Sequence, residues 1–118
     1  KIDVLVAGVD YNAYSDKAKG KSIDIYYPKG GTVVNARPAM ILNTASHVDE
    51  AKKVMDYLCT AEAQKFVSDS YLLPGRKDVS AKSDRLGYDK IDQLTNLDWN
   101  YMAENGTKIA TDFVKKLK

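Results

Sequence analysis

Residues 23–64 constrain the fold of this chain more than any other stretch: IDIYYPKGGTVVNARPAMILNTASHVDEAKKVMDYLCTAEAQ. Ile23, Ile25 and Tyr27 alternate with Asp24 and Tyr26, the period of a half-buried strand. Pro28-Lys29-Gly30-Gly31 stops it, since proline removes a ladder donor and the two glycines open positive φ. Pro38 biases the residues before it toward extended backbone. Ala39-Met40-Ile41-Leu42 is a short apolar run, as for a strand covered on both faces. Ser46 or His47 then precedes Val48-Asp49-Glu50-Ala51, and acidic residues in a first turn suit the positive end of a helix dipole. The spacing predicts a helix with Val48, Ala51, Met55 and Leu58 on one stripe and Lys52, Lys53 and Asp56 opposite. Thr60 caps the start of the next helix, whose inner face is Ala63, Phe66 and Val67.

Upstream, residues 2–7 read as a strand broken by Gly8. Asp10 opens a helix over 11–19 that Gly20 closes in a left-handed cap. Strand, helix and strand over residues 2–27 imply a parallel pair with a right-handed crossover, hence an α/β sheet. Downstream, Pro74-Gly75 ends a helical run, and residues 80–96 are polar with one helical turn around 90–94. The last helix starts at Asn96 or Asp98 and carries Trp99, Met102, Ile109, Phe113 and Leu117 at three- and four-residue spacing. Gly106 inside it costs about 1 kcal/mol against alanine unless a neighbour packs there. The expected core is Val4, Val6, Met40, Leu42, Met55, Leu58, Phe66, Trp99, Ile109 and Phe113.

The motifs of this stretch resemble the C-terminal part of the extracellular solute-binding proteins of ABC importers, in the group that includes ferric-iron binders. The correspondence lies in Tyr27-Pro28, Gly31-Thr32 and the run from Glu50 to Gln64, EAKKVMDYLCTAEAQ. It continues in Leu73-Pro74-Gly75-Arg76-Lys77-Asp78-Val79 and, more loosely, in Trp99 followed by Glu104-Asn105. The resemblance implies an α/β fold, the C-terminal portion of a type II periplasmic-binding-protein fold, with sheet strands flanked by helices and a helical C-terminus. It implies residues 1–32 in one lobe, an inter-lobe crossover at 33–37 and residues 38–118 in the other lobe. It further implies a longer full-length protein, periplasmic or extracellular and in some forms a membrane-anchored lipoprotein. That protein would capture a small solute or metal ion between its lobes and deliver it to ABC permease subunits without catalysing a reaction.

The residues exclude several other classes. A net charge of +2, from 18 basic and 16 acidic residues, gives no electrostatic footprint for nucleic acid. No apolar segment reaches the ~20 residues a membrane span needs. The single cysteine, Cys59, leaves no internal disulfide and reads as a small buried hydrophobe on its helix. The single histidine, His47, reads as a residue at a helix start. No nucleophile–base pair and no phosphate-binding glycine loop occurs. Two alternatives stay open: a small α/β enzyme domain completed by a partner subunit, and a ligand-sensing domain reusing the binding-protein fold.

Ligands of open α/β sheets sit beyond the carboxyl ends of strands. The turn after the first strand is such a place, and it offers Asp10, Tyr11 and Asn12 as ligand-binding residues. Asp10 equally suits a helix start. Thr32 and Arg37, near the crossover, complete the candidate set, with Arg37 matched to a carboxylate or phosphate. In the resembled group, iron(III) is held by phenolate oxygen, which nominates Tyr11 as a metal residue; Asp10 beside Tyr11 would also suit an amine or a polyol. The adjacent pair Tyr26-Tyr27 belongs to the next strand, where the two rings face opposite ways. Residues 1–31 hold too little structure to cover both faces of a sheet, so the chain alone is expected to self-associate.

Overall fold

The computed structural model describes residues 3–117. Its order is α1 (Asp10–Ala18), α2 (Val48–Leu58), α3 (Ala61–Asp69), a 3-10 turn (Tyr88–Lys90) and α4 (Trp99–Lys116). All four helices arise where local signals place them. Thr60 caps α3 by accepting from the Ala63 N–H at 3.2 Å, and Asp98 caps α4 by accepting from the Tyr101 N–H at 2.9 Å. Gly20, at φ 81°, closes α1. Its N–H donates to the Lys17 carbonyl and that of Lys21 to the Asp16 carbonyl, the paired bonds of a Schellman motif.

Among the described residues the expected strands do not pair into a sheet. Residues 23–27 and 39–42 run as irregular chain, as does the described part of 2–7, which ends in a turn; Ile2 lies outside the described residues. Among the described residues the one β pairing is a parallel bridge between Thr32 and Gln93. The Thr32 N–H donates to the Asp92 carbonyl and the Leu94 N–H to the Thr32 carbonyl, both at 2.9 Å. A strand exists only where a neighbour takes its backbone groups, and these segments meet none. The helical turn expected at 90–94 lies instead at Tyr88–Lys90, because Gln93 and its neighbours are engaged by Thr32. The Pro28–Gly31 turn admits that approach. Gly31 sits at φ 96°, and a Cβ there would stand 3.2 Å from the Leu94 side chain.

The alternation survives without a ladder over residues 24–27, while Ile23, expected to face inward, is exposed. Ile25 and Tyr27 are half-buried, while Asp24 and Tyr26 are exposed. The expected core is a correction of another kind. Met55 is half-buried, but Val4, Val6, Met40, Leu42, Leu58, Phe66, Trp99, Ile109 and Phe113 are all exposed. Cys59 is exposed as well. The apolar stripes exist, but only α2 and α3 pack helix on helix among the described residues. The radius of gyration is 18.0 Å, against about 13–14 Å for a compact chain of this length.

The helical end of the long motif and the later Pro-Gly-Arg segment meet in space. Gln64 donates to the Leu58 carbonyl at 2.8 Å and accepts from the Gly75 N–H at 2.7 Å. Arg76 donates to the Cys59 carbonyl at 2.9 Å and grips Asp78 through Nε and Nη2. The orphan carbonyls at the end of α2 are thereby satisfied.

Gly106 has nothing within 4 Å of where a Cβ would stand. Gly106→Ala should therefore stabilise α4 by about 1 kcal/mol, read as a higher urea midpoint at unchanged slope; a lower midpoint would show that a neighbour packs against that position.

Candidate functional site

Tyr14, Ala63, Ser68, Tyr71, Arg85 and Ile91 are buried, and contacts among Tyr14, Tyr71 and Arg85 bring α1, the turn that follows α3 and the 84–86 segment together. Tyr14 and Tyr71 stack, with centroids 6.0 Å apart and planes 3° from parallel. Lys82 Nζ lies 3.9 Å from the centroid of the Tyr71 ring, and the Tyr71 hydroxyl donates to Asp84 at 2.8 Å. Tyr71 occupies the left-handed position after α3, at φ 62°. Its N–H donates to the Ser68 carbonyl and that of Leu72 to the Val67 carbonyl, the bonding that glycine usually provides.

A charged network runs through this cluster. Arg85 Nη2 donates to Asp10 Oδ2 at 2.7 Å, Nη1 donates to the Tyr71 carbonyl, and Nε donates to the Leu86 carbonyl at 3.1 Å. Tyr27 donates to the same Asp10 oxygen at 2.7 Å and stands 3.5 Å from the Tyr14 hydroxyl. The Leu86 N–H donates to Tyr14 Oη at 3.3 Å. Burial, then the hydrogen bonds to Tyr14 and Asp10, push the Tyr27 phenol far above its ordinary pKa. It therefore acts as a standing donor and not as a phenolate. Beside the network lies a shallow depression of about 360 Å³, lined by Tyr14, Tyr27, Ser83 and Arg85 with Lys17 and Lys90.

The nominated residues divide. Asp10 begins α1 and is committed to Arg85 and Tyr27; it is not the side-chain cap, since Val9 holds that place without a cap bond. Tyr11 and Arg37 come together, with the guanidinium carbon 4.9 Å from the centroid of the Tyr11 ring. Asn12 is exposed. Thr32 is held in the bridge to Gln93. His47 stands at the start of α2 without a side-chain cap bond. Among the described residues, no group of three or more His, Cys, Asp and Glu side chains is placed to hold a metal, and no helix is long and apolar enough to cross a membrane.

Arg85 and Tyr71 were not legible as members of this cluster. Arg85 lies in a polar stretch without periodicity, and nothing in the sequence around Tyr71 marks a left-handed residue. Tyr27 carried a signal, its place on the inner face of the 23–27 alternation.

A family model described as bacterial extracellular solute-binding protein matches residues 4–105. No curated protein and no solved structure matches the chain.

Proposed function

The chain belongs to the bacterial extracellular solute-binding proteins, and from that premise we propose that it is the C-terminal portion of a type II binding protein whose Tyr11–Arg37 pair contacts an anionic solute. The protein works outside the cytoplasmic membrane. It closes two lobes around the solute and hands it to an ABC permease, with no covalent step. Residues 1–32 belong to one lobe, 33–37 cross between lobes, and 38–118 belong to the other.

One observation carries the solute class. Asp10 is taken up by Arg85, whereas Arg37 joins no ion pair among the described residues and rests on the Tyr11 ring. The free charge of the nominated set is therefore positive, and a guanidinium beside an aromatic ring keeps its donors for a carboxylate or phosphate. Asn12 and Thr32 add neutral polar contacts as the lobes close. The same cation opposes a bare trivalent metal at Tyr11; iron(III) would enter as an anionic chelate.

Native mass spectrometry with metal analysis, on full-length protein purified without refolding, should show a co-purified anion. Arg37→Gln should weaken calorimetric affinity for it by roughly tenfold or more, and Tyr11→Phe by less. A neutral or cationic cargo, or unchanged affinity in both variants, would remove the pair from the site.

A further inference from the structure

The first turn of α1, which carries Tyr11, is fixed by a residue that stands 75 positions away in sequence. The Arg85 side chain is 1% exposed and its Asp10 partner 30%. Each of its three donor positions is addressed: Nη2 by the first residue of α1, Nη1 by the carbonyl of left-handed Tyr71, and Nε by the Leu86 carbonyl. The guanidinium also faces the Tyr14 ring, 5.2 Å from its centroid. A solute has no access to this group. A buried ion pair is weak evidence for stability, because apolar residues of similar volume often replace it at no net cost; orientation is its better-attested contribution.

We propose that Arg85 is a positioning residue for solute capture: by clamping Asp10 it sets the place of the α1 start, and with it Tyr11, relative to the 71–86 segment. The inference rests on the reading of Tyr11 as a solute contact. The lobe division makes the clamp span both lobes, since Asp10 falls in 1–32 and Arg85 in 38–118. Geometry explains why the residue is arginine. A planar fork serves three acceptors in fixed directions, whereas a lysine ammonium is a single point on a flexible stem.

Hydrogen exchange read by mass spectrometry on the full-length protein tests this without any solute. In Arg85→Met, and in Asp10→Asn/Arg85→Met where no charge is left unpaired, amides of residues 13–16, the first hydrogen-bonded ones of α1, should exchange about tenfold faster or more, with those of α2 unchanged. The double variant should match the single one, because Arg85 acts on this turn through Asp10. Arg85→Lys, which keeps the charge, should not restore protection. Unchanged exchange at 13–16, an equal rise in α2, effects that multiply in the double variant, or full rescue by lysine would each overturn the proposal. Tyr11→Phe affinity is read separately, so failure of the solute assignment is told apart from failure of the clamp.

Discussion

At tens of micromolar, the 118-residue chain should scatter light as a dimer or larger assembly, not as a 13.1 kDa monomer. The reason is uncovered area. The accessible surface is 10157 Å², against roughly 6,400 Å² for a compact monomer of this mass. Large apolar side chains contribute to it: Val4, Leu5 and Val6 are each 76% exposed, and Trp99, Ile109, Phe113 and Val114 stand exposed along α4. Patches of that extent associate unless something covers them. Backbone at 3–7 and 23–27 has no ladder partner among the described residues and offers strand pairing as well. Residues 1–31 are the segment expected to exchange between copies, with 32–37 as the hinge. Assembly of this kind should leave the chain with weak solute binding or none. A monodisperse monomer that unfolds cooperatively would show that the Tyr14–Tyr71–Arg85 cluster is core enough for independent folding.

Tyr71 should be the most sensitive single position of that cluster. In the full-length protein, Tyr71→Ala should cost about 3–5 kcal/mol in urea unfolding, because a buried, stacked ring is removed and a cavity remains. Tyr71→Phe should cost about 1.5–3 kcal/mol, the charge-assisted hydroxyl bond to Asp84 alone. The diagnostic comparison is glycine. At φ 62° every side chain is strained against the following carbonyl, so Tyr71→Gly should be more stable than Tyr71→Ala by about 1 kcal/mol. At ordinary helical positions the order is the reverse. Finding alanine the more stable of the two would mean that this residue does not hold a left-handed backbone.

The left-handed tyrosine also shows why the site was only partly legible. The helix end at Asp69 offered no glycine or asparagine at the position where a left-handed cap is usual, and a bulky residue there is an outlier. Its partners fix it: the Tyr14 stack, the Asp84 acceptor and the Arg85 donor. The same holds for Asp10. The sequence placed it at a helix start and left it between a solute contact and a helix cap; the structure gives it to Arg85 instead, a partner that lies in a stretch with no pattern of its own. Tyr11 and Arg37 were nominated separately, one from a strand end and one from a crossover. Their stacking followed from neither position alone.

The sequence by itself determined the four helices, the Thr60 cap and the Gly20 close, and it narrowed the start of α4 to Asn96 or Asp98. A helix closes its hydrogen bonds within about four residues, so these local signals and the apolar spacing of α2 and α4 were enough. It also determined the family, through a motif whose distant parts meet at Gln64, Gly75 and Arg76. Only the tertiary structure decided which residues are buried, which strands find partners and where charge stands free. Each of those depends on groups far apart in the chain, and a strand or an apolar face has no fate until a second surface meets it. Residues 24–27 kept their alternation without a ladder, α4 kept its stripe without a helix partner among the described residues, and Asp10 paired its carboxylate with an arginine 75 residues away.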